Sequence, residues 1–426
     1  MKHRPIDRRV FLFLQGPPGP FFARLGAALA GAGHRVHRIN FNGGDRFSWP
    51  GRATNYRGTA EEWPRFFEEF TTRHGVTDLV LFGDCRPLHR AAHGLATINR
   101  LSIHVFEEGY IRPDWVTLEA DGVNGHSTLS RDPEWYLQAA RALPPIRPQA
   151  PIAASFARRA REAYDYYQAC VLERGYFPHY RSHRPNSAIG EGFGWLIRLA
   201  TRKRARERSQ RIIADLAGQP YFVFPLQLDS DHQIRVHSPF GNMRVAIDYV
   251  VASFSRRAPA DAILVLKEHP LDNGLINWRR YALQRAAHHG VAQRVVYIED
   301  GDIESLVSGA RGLVTINSTT GTLALAAGMP TAVLGQAVYD IAGITHQGPL
   351  DTFWANPRRP DPRLWDAFCR VLLDRCLIRG GFLSDEGLDL LVENAAARLT
   401  TKRADEVVEL PLRISAPAAA PQPVAS

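Results

Sequence analysis

The sequence predicts an α/β protein with two doubly wound domains that face a cleft. Its 426 residues exceed what one ordinary hydrophobic core supports. Short apolar segments alternate with helical segments in two separate blocks, a pattern typical of parallel sheets covered by helices. Between the blocks, residues 146–217 contain few strand signals and many Arg and Tyr residues, so we interpret them as a helical, basic connection.

The first domain is predicted to cover residues 1–145. It begins with an apolar strand at Arg8–Leu14, then a Gly/Pro turn and a helix that ends near Gly31 and Gly33. Three further strands follow in the order HRVHRINF, TDLVLFG and SIHVFEEG. This alternation of strands and helices indicates a parallel sheet.

The second domain is predicted to cover residues 218–400. Its strand candidates are PYFVFPLQ, AILVLKEHP, RVVYIED, GLVTINS and PTAVLGQ, with helical segments between them. Residues 401–426 are a tail, and the Ala/Pro-rich composition after about residue 415 predicts disorder there.

Charge and cysteine content narrow the functional class. The chain has 52 Lys and Arg residues against 43 Asp and Glu, a net charge of +9, which favours anionic partners. Its four cysteines form no CxxC pair, so we expect a reducing compartment and no zinc site.

The first apolar run is too short for a signal peptide, and no stretch approaches the roughly 20 apolar residues of a membrane span. We therefore expect a protein that works from the cytoplasmic side.

Carboxylates follow two predicted strands, where α/β domains bind their ligands. Glu107 and Glu108 directly follow SIHVF and precede a glycine, so one of them is a candidate general acid/base; a solvated acidic turn is the alternative. Asp229 and Asp231 follow YFVFP and are candidates for a nucleophile, a base or Mg²⁺ ligands. An Asx-rich turn is the alternative for this pair.

Residues whose side chains commonly bind phosphate follow two other predicted strands. Lys267 and His269 close the strand AILVL, and the proline after His269 keeps that histidine out of the helical region. The segment NSTTG, from Asn317, opens a helix with hydroxyl side chains and backbone N–H groups, which together suit an anion. A strand-terminating turn and a helix cap without a ligand are the respective alternatives. The loop after the last strand, Tyr339–Trp354, is a candidate cover for a nucleotide or sugar.

Two remaining segments bear on function. The first loop, QGPPGP, matches neither GxGxxG nor GxxxxGK[ST], which argues against dinucleotide and P-loop chemistry and leaves a rigid turn facing the cleft. Arg202–Arg211 holds six basic residues and one Glu. It is either a solvated helix face or a patch for acidic lipid. Nucleic-acid binding is not predicted, because no aromatic interleaving or nucleic-acid motif accompanies the run.

Taken in order, the motifs resemble the bacterial capsule polysaccharide biosynthesis family, and within it the KpsS-type β-Kdo transferases. They span about residues 10–355 and read FLQGPPGPFFARLGAALAGAGHRVHRINFNGGD, FEEGYIRPDWVTLE, PLQLDSDHQIRVHSPF, LKEHP, NSTTGTLALAAGMPTAVLG and YDIAGITHQG. The resemblance implies two Rossmann-like domains of the GT-B type. It also implies transfer of the sugar acid Kdo from CMP-Kdo to a phosphatidylglycerol-type lipid, with retention through a covalent sugar–Asp intermediate.

The resemblance also implies roles for individual residues. Asp231 matches the nucleophile, with Asp229 as the nearby alternative, and Glu107 or Glu108 matches the acid/base. The resemblance places the donor phosphate at His269 and Pro270 and at Ser318, Thr319 and Thr320. Our further donor-side candidates are Gln227, Lys267 and His346, and our acceptor-side candidates are Gly16, Pro17 and Arg112.

The expected setting follows from the same resemblance. No cofactor and no metal are expected, and the implied location is the cytoplasmic face of the inner membrane, with capsule assembly or export proteins as partners. Two alternatives stay open: a nucleotide-sugar epimerase or a transferase for another sugar, and a non-catalytic export or scaffold protein.

Overall fold

The computed structural model describes residues 8–182 and 188–401 and contains two sheets with helices packed on them. The strands of the first sheet are β1 (Val10–Phe13), β2 (Arg35–Asn40), β3 (Thr54–Asn55), β4 (Asp78–Phe82), β5 (Ser102–Glu108), β6 (Trp115–Ala120) and β12 (Leu377–Arg379). Those of the second are β7 (Tyr221–Pro225), β8 (Ile263–Lys267), β9 (Val295–Ile298), β10 (Gly312–Thr315) and β11 (Thr331–Val333).

Both sheets are mainly parallel. The first has the order β12-β6-β5-β4-β1-β2-β3, in which β6 pairs antiparallel with both β5 and β12. The second has the order β11-β10-β7-β8-β9, and all its pairs are parallel. Every residue of β1, β4 and β7 is buried, as expected of strands covered on both faces.

Helices connect the strands in both domains. Those before the second sheet are α1 (Phe21–Gly31), α2 (Gly43–Ser48), α3 (Trp63–His74), α4 (Pro87–Ile98), α5 (Pro133–Ala139), α6 (Phe156–Leu172) and α7 (Ala188–Asp215). The helices that follow β7, the first strand of the second sheet, are α8 (His232–Arg235), α9 (Met243–Arg257), α10 (Trp278–His288), α11 (Ile303–Ser308), α12 (Thr320–Ala326), α13 (Leu350–Phe353), α14 (Pro362–Arg375) and α15 (Asp385–Thr400). Short 3₁₀ turns lie at Asn124–His126 and Ala140–Ala142.

The C-terminal end of the described chain returns to the first domain. Strand β12 pairs antiparallel with β6, and α15 packs on α1, where Leu391 and Leu399 join the core around Phe13. Arg24 of α1 also pairs with Asp389 of α15 at 2.7 Å. The predicted range 218–400 for the second domain is therefore wrong at its end, because apolar burial and strand pairing place this segment on the other sheet.

The segment predicted to connect the domains is helical, but its first helix belongs to the first domain. Helix α6 packs against α2, and the Tyr166 hydroxyl donates a 3.0 Å hydrogen bond to Asp45. A Cβ added at Gly43 would lie 2.2 Å from the Ala169 carbonyl oxygen, so glycine permits this close approach. Helix α7 leads into the second domain, where Ser209 accepts a hydrogen bond from the Glu299 N–H. The predicted disordered tail lies outside the described residues.

The two domains touch at the edges where their parallel strands end. Thr322 of the second domain donates a 2.9 Å hydrogen bond to the Tyr110 carbonyl of the first, and Arg131 donates to the Ala337 carbonyl. The predicted α/β class with two doubly wound domains that face a cleft is confirmed. The strand ends of both domains therefore border one cleft, which is where the candidate residues were predicted.

Candidate active site between the two domains

Glu107 lies at the end of β5, next to the second domain. Its Oε1 accepts a 3.0 Å hydrogen bond from the Glu108 N–H. Burial, together with repulsion from Glu108 and Asp231, raises the pKa of Glu107 to about 7, although the Glu108 N–H and Arg86 oppose the shift. A carboxyl group with this pKa can both accept and donate a proton near neutral pH.

This raised pKa predicts how folding stability changes with pH. In the unfolded chain Glu107 ionises near its ordinary pKa of 4.5, whereas in the folded protein it stays protonated until about 7. The folded state binds more protons in that window, so its stability should fall as the pH rises from about 4.5 to about 7 and then level off. Glu107→Gln removes this loss. The melting temperature of the variant minus that of the parent should therefore increase as the pH rises from about 4.5 to about 7. If this difference does not change with pH, the raised pKa is contradicted.

Glu108 faces outward and is held differently. Its side chain is 41% exposed, and its Oε1 lies 3.7 Å from the Arg159 guanidinium of α6. Glu108 is thus engaged by a cation of its own domain, whereas Glu107 lies within electrostatic range of Asp231. Of the two acids that the sequence left open, the structure favours Glu107.

Asp231 approaches the same cleft from the second domain. It follows β7 as the N-cap of α8 and accepts a 2.9 Å hydrogen bond from the Gln233 N–H. Burial raises the pKa of Asp231, and the Gln233 hydrogen bond, His232 and Arg112 oppose that rise. Because Asp231 also raises the pKa of Glu107, the two carboxyl groups lie within electrostatic range of each other across the cleft.

Asp229 has a structural partner. Its Oδ1 accepts a 2.7 Å hydrogen bond from the Met243 N–H at the start of α9. Asp229 is therefore engaged by the backbone at the start of α9, while Asp231 is both the N-cap of α8 and a residue at the cleft. This contact assigns Asp229 to holding α9 in place.

His269 follows β8 and is uncharged at neutral pH. Burial and the nearby cations Lys267 and Arg112 lower the pKa of His269 to about 4. Its Nδ1 accepts a 3.1 Å hydrogen bond from the Leu271 N–H, so the ring proton resides on Nε2 and is available to a ligand. Lys267 is itself buried, and burial lowers the pKa of Lys267 as well. Pro270 is exposed at the surface.

The hydroxyl loop follows β10, as predicted. Ser318 Oγ donates to Thr320 Oγ1 and accepts from the Thr320 N–H, both at 3.2 Å, and Thr319 is the N-cap residue of α12. Gln227 is bonded to the first residue of this segment, Asn317. Its amide is buried and makes a reciprocal pair with Asn317, with Gln227 Nε2 donating to Asn317 Oδ1 at 2.9 Å. Gln227 thus joins the ends of β7 and β10.

The acceptor-side candidates line the first-domain edge of the cleft. Gly16 and Pro17 are buried, and a Cβ added at Gly16 would lie 2.8 Å from the Phe22 ring. Arg112 is exposed and influences the pKa of both Asp231 and His269, so it lies near donor-side residues too.

His346 is not brought to this cleft. Its N–H donates to the Thr331 carbonyl at the start of β11, and its Nε2 lies 2.9 Å from Thr352 Oγ1. Its ring packs beside Phe353, which contacts Gly312 at the start of β10. The other donor-side candidates follow the ends of strands, whereas His346 lies beside the start of one, away from them.

One residue at the site, Arg86, was missed by the sequence reasoning. It follows β4, lowers the pKa of Glu107 and of His232, and its Nη1 is 3.4 Å from the carbonyl oxygens of Gln15 and Gly16. Among the described residues, no ion pair involves Arg86. Its position in the sequence could have indicated it, since Arg86 follows the strand TDLVLFG by three residues, just as the other candidates follow their strands.

The chain is similar in sequence to known proteins over most of its length. A family profile described as "Capsule polysaccharide biosynthesis protein" matches residues 77–383. The chain belongs to this family. It is 36% identical over 383 residues to the "Capsule polysaccharide modification protein LipB" of Neisseria meningitidis serogroup A, covering 88% of this chain and 91% of that protein. It is 37% identical over 375 residues to the "Capsule polysaccharide export protein KpsS" of Escherichia coli, covering 86% of this chain and 95% of the relative.

A solved structure is also similar to this family member. The β-Kdo 2,7 transferase of Thermosulfurimonas dismutans KpsC matches with a TM-score of 0.45 and 15% identity, over 90% of this chain and 99% of that one. Within residues 8–182 and 188–401, none of the helices combines the length and apolar character needed to cross a bilayer.

Proposed function

We propose that this chain is a retaining glycosyltransferase that moves Kdo from CMP-Kdo to a phosphatidylglycerol-type lipid acceptor in capsule synthesis. One observation carries the proposal: two half-buried carboxyl groups with raised pKa values, Glu107 and Asp231, approach each other from opposite domains. Retaining transfer needs such a pair, one as nucleophile and one for proton transfer. Family membership and the relatives named for capsule modification and export support the capsule context.

The donor phosphate has a neutral binding site available. His269 Nε2–H, the Ser318 and Thr320 hydroxyls and the start of α12 are donors that stabilise the negative charge developing on CMP as it leaves. The proposed transfer therefore uses no cofactor and no metal at the phosphate.

The sugar is transferred in two displacements. The Asp231 carboxylate attacks the anomeric carbon, the bond to the CMP phosphate breaks, and an ester to Asp231 forms. Glu107 then accepts the proton of the acceptor hydroxyl, whose oxygen displaces Asp231 from the same carbon. Two inversions give retention. His232 and Arg112 favour the ionised form of Asp231 that the first step needs.

Arg86 suits the acid group of the donor. It is half-buried beside Glu107 and, within the described parts of the chain, has no carboxylate within ion-pair distance. Kdo carries a carboxylate next to its anomeric carbon, and a guanidinium binds such a group through paired N–H donors. We assign Arg86 to donor orientation on this basis.

The proposal is tested by mass spectrometry of the product. Purified protein is incubated with CMP-Kdo and a lysophosphatidylglycerol acceptor, and we expect the acceptor plus one Kdo residue together with free CMP. The same reaction with a UDP-sugar should give none. A converted nucleotide sugar with no acceptor product would support the epimerase alternative, and binding of both substrates without turnover would support the scaffold alternative.

His269→Ala should lower turnover by about 10²–10³-fold, the usual effect of removing one well-placed transition-state donor. The affinity for CMP should fall in calorimetry, because the Nε2–H donor to the phosphate is lost. His269→Gln keeps an N–H donor and should recover part of that affinity. His288→Ala, which changes an exposed histidine on α10, is the matched control. Unchanged CMP affinity in His269→Ala would contradict the phosphate role.

We also propose that the protein binds the cytoplasmic face of the inner membrane through α7 and meets capsule assembly or export proteins there. Five basic side chains of the run are exposed, namely Arg211 and a group of four, Arg202, Lys203, Arg204 and Arg206. Arg208, by contrast, is closely paired with Glu299. At about 1 kcal/mol for each residue near an anionic surface, the four contribute several kcal/mol, and salt screens this attraction.

Replacing these four residues with Gln should release the protein from phosphatidylglycerol vesicles at moderate salt. Activity on a short, soluble acceptor should stay the same, since the residues lie outside the cleft. The matched control removes four other exposed charges, by the changes Arg279→Gln, Arg280→Gln, Arg358→Gln and Arg359→Gln. Equal sedimentation of the two variants would show that α7 has no special part in membrane binding.

A further inference from the structure

Four side chains with metal-ligating groups lie together where the two domains touch, and none of them belongs to the carboxyl pair. We name them the interface cluster, and they are Asp84, Cys85, His126 and His237. One ligand atom from each lies within 4.8 Å of the other three. His237 follows α8 in the second domain, while the other three come from two loops of the first domain. The cluster is thus assembled only when the domains are in contact.

The contacts within the interface cluster are close to ligand–ligand distances around a small ion. Cys85 Sγ is 3.2 Å from Asp84 Oδ1 and 3.2 Å from His237 Nε2. His126 Nδ1 is 3.0 Å from Asp84 Oδ2. A tetrahedral Zn²⁺ with ligands at roughly 2.0–2.3 Å has edges of about 3.3–3.8 Å. Small side-chain shifts therefore suffice to seat an ion.

The donor set indicates which ion fits. Two imidazoles, a thiol and a carboxylate suit Zn²⁺ and related transition metals, whereas Mg²⁺ and Ca²⁺ prefer oxygen ligands alone. Asp84, Cys85 and His237 are buried, and the half-exposed His126 provides an entry path. The Val123 N–H donates a 3.2 Å hydrogen bond to Asp84 Oδ2, which orients the carboxylate as outer partners of metal sites do.

We propose that the interface cluster is a Zn²⁺ site that links the two domains. With four protein ligands it has the closed coordination of structural zinc sites. The proposal rests on the ligand atoms of the cluster and does not depend on the proposed transferase function, because none of the four ligands is a residue assigned to the transfer, although Glu107 lies close by. The sequence expectation of no zinc site rested on the lack of CxxC, and Cys85 and His237 stand 152 positions apart in the chain.

The test uses the untagged full chain, stripped with a chelator and then titrated with Zn²⁺. We expect one bound Zn²⁺ per chain by elemental mass spectrometry and a higher melting temperature with the metal. Co²⁺ in its place should show the thiolate charge-transfer absorption of a Cys ligand. His126→Ala and Cys85→Ser should each weaken Zn²⁺ binding by at least about 100-fold. Cys85→Ser should also abolish the Co²⁺–thiolate absorption.

Matched controls separate the cluster from incidental binding. His288→Ala and Cys170→Ser change the same residue types outside the cluster and should leave Zn²⁺ affinity unchanged. Mg²⁺ and Ca²⁺ should not compete. The proposal is overturned if the parent retains no Zn²⁺ after gel filtration, or if the cluster variants and the controls bind it equally. Either result would leave the cluster as a hydrogen-bonded domain contact and would leave the transferase proposal standing.

Discussion

Asp231→Asn should reduce Kdo transfer by at least about 10⁴-fold, because an amide cannot form the sugar ester that the proposed mechanism requires. The fold should be retained, since Asn is as good an N-cap as Asp and can still accept the hydrogen bond from the Gln233 N–H. The measurement is initial rates of product formation by mass spectrometry, with the melting temperature as a check on folding.

Asp229→Asn is the control for this change. Its partner is the Met243 N–H of α9, which an Asn side chain can also satisfy, so turnover should stay close to that of the parent. If Asp231→Asn remains active while Asp229→Asn does not, the nucleophile has been assigned to the wrong residue of the pair.

Glu107→Gln should lower transfer by about 10²–10⁴-fold, the usual contribution of a general base. In the parent, transfer to the acceptor should increase as the pH rises toward about 7 and then level off, because Glu107 accepts a proton only when it is ionised. The variant should lack this rise. Since the Glu107→Gln change would block only the second displacement, the sugar ester on Asp231 should accumulate and be seen by intact-mass analysis.

Glu108→Gln tests the alternative acid. Glu108 is exposed and lies beside Arg159, so its removal should leave both the rate and the pH profile nearly unchanged. A Glu108→Gln variant that loses the pH-dependent rise, with Glu107→Gln keeping it, would exchange the two roles.

Local patterns were sufficient for the fold class and for most of the site. Apolar strands such as YFVFP and AILVL are buried in the sheets as predicted, because a short apolar run needs two covered faces wherever it lies. Parallel strands end at one edge of a sheet, so residues directly after them, such as Glu107, Asp231 and His269, could be predicted to converge.

Other features depend on partners that are distant in the chain. Arg159 of α6 distinguishes Glu108 from Glu107, and Met243 of α9 distinguishes Asp229 from Asp231. The chain path after the last strand carries His346 back to the start of β11, away from the site where its loop was expected. None of these contacts has a signature in the local sequence.

Local hydrophobicity and strand direction were thus enough to define the α/β class, the two sheets and the edge at which the chemistry lies. Three features emerged only from the packing of the chain: which carboxyl group of each pair faces the cleft, the return of β12 and α15 to the first domain, and the assembly of the interface cluster. The difference arises because burial and charge–charge distance set proton affinity and ligand geometry. Both quantities exist only once residues far apart in the chain are packed together.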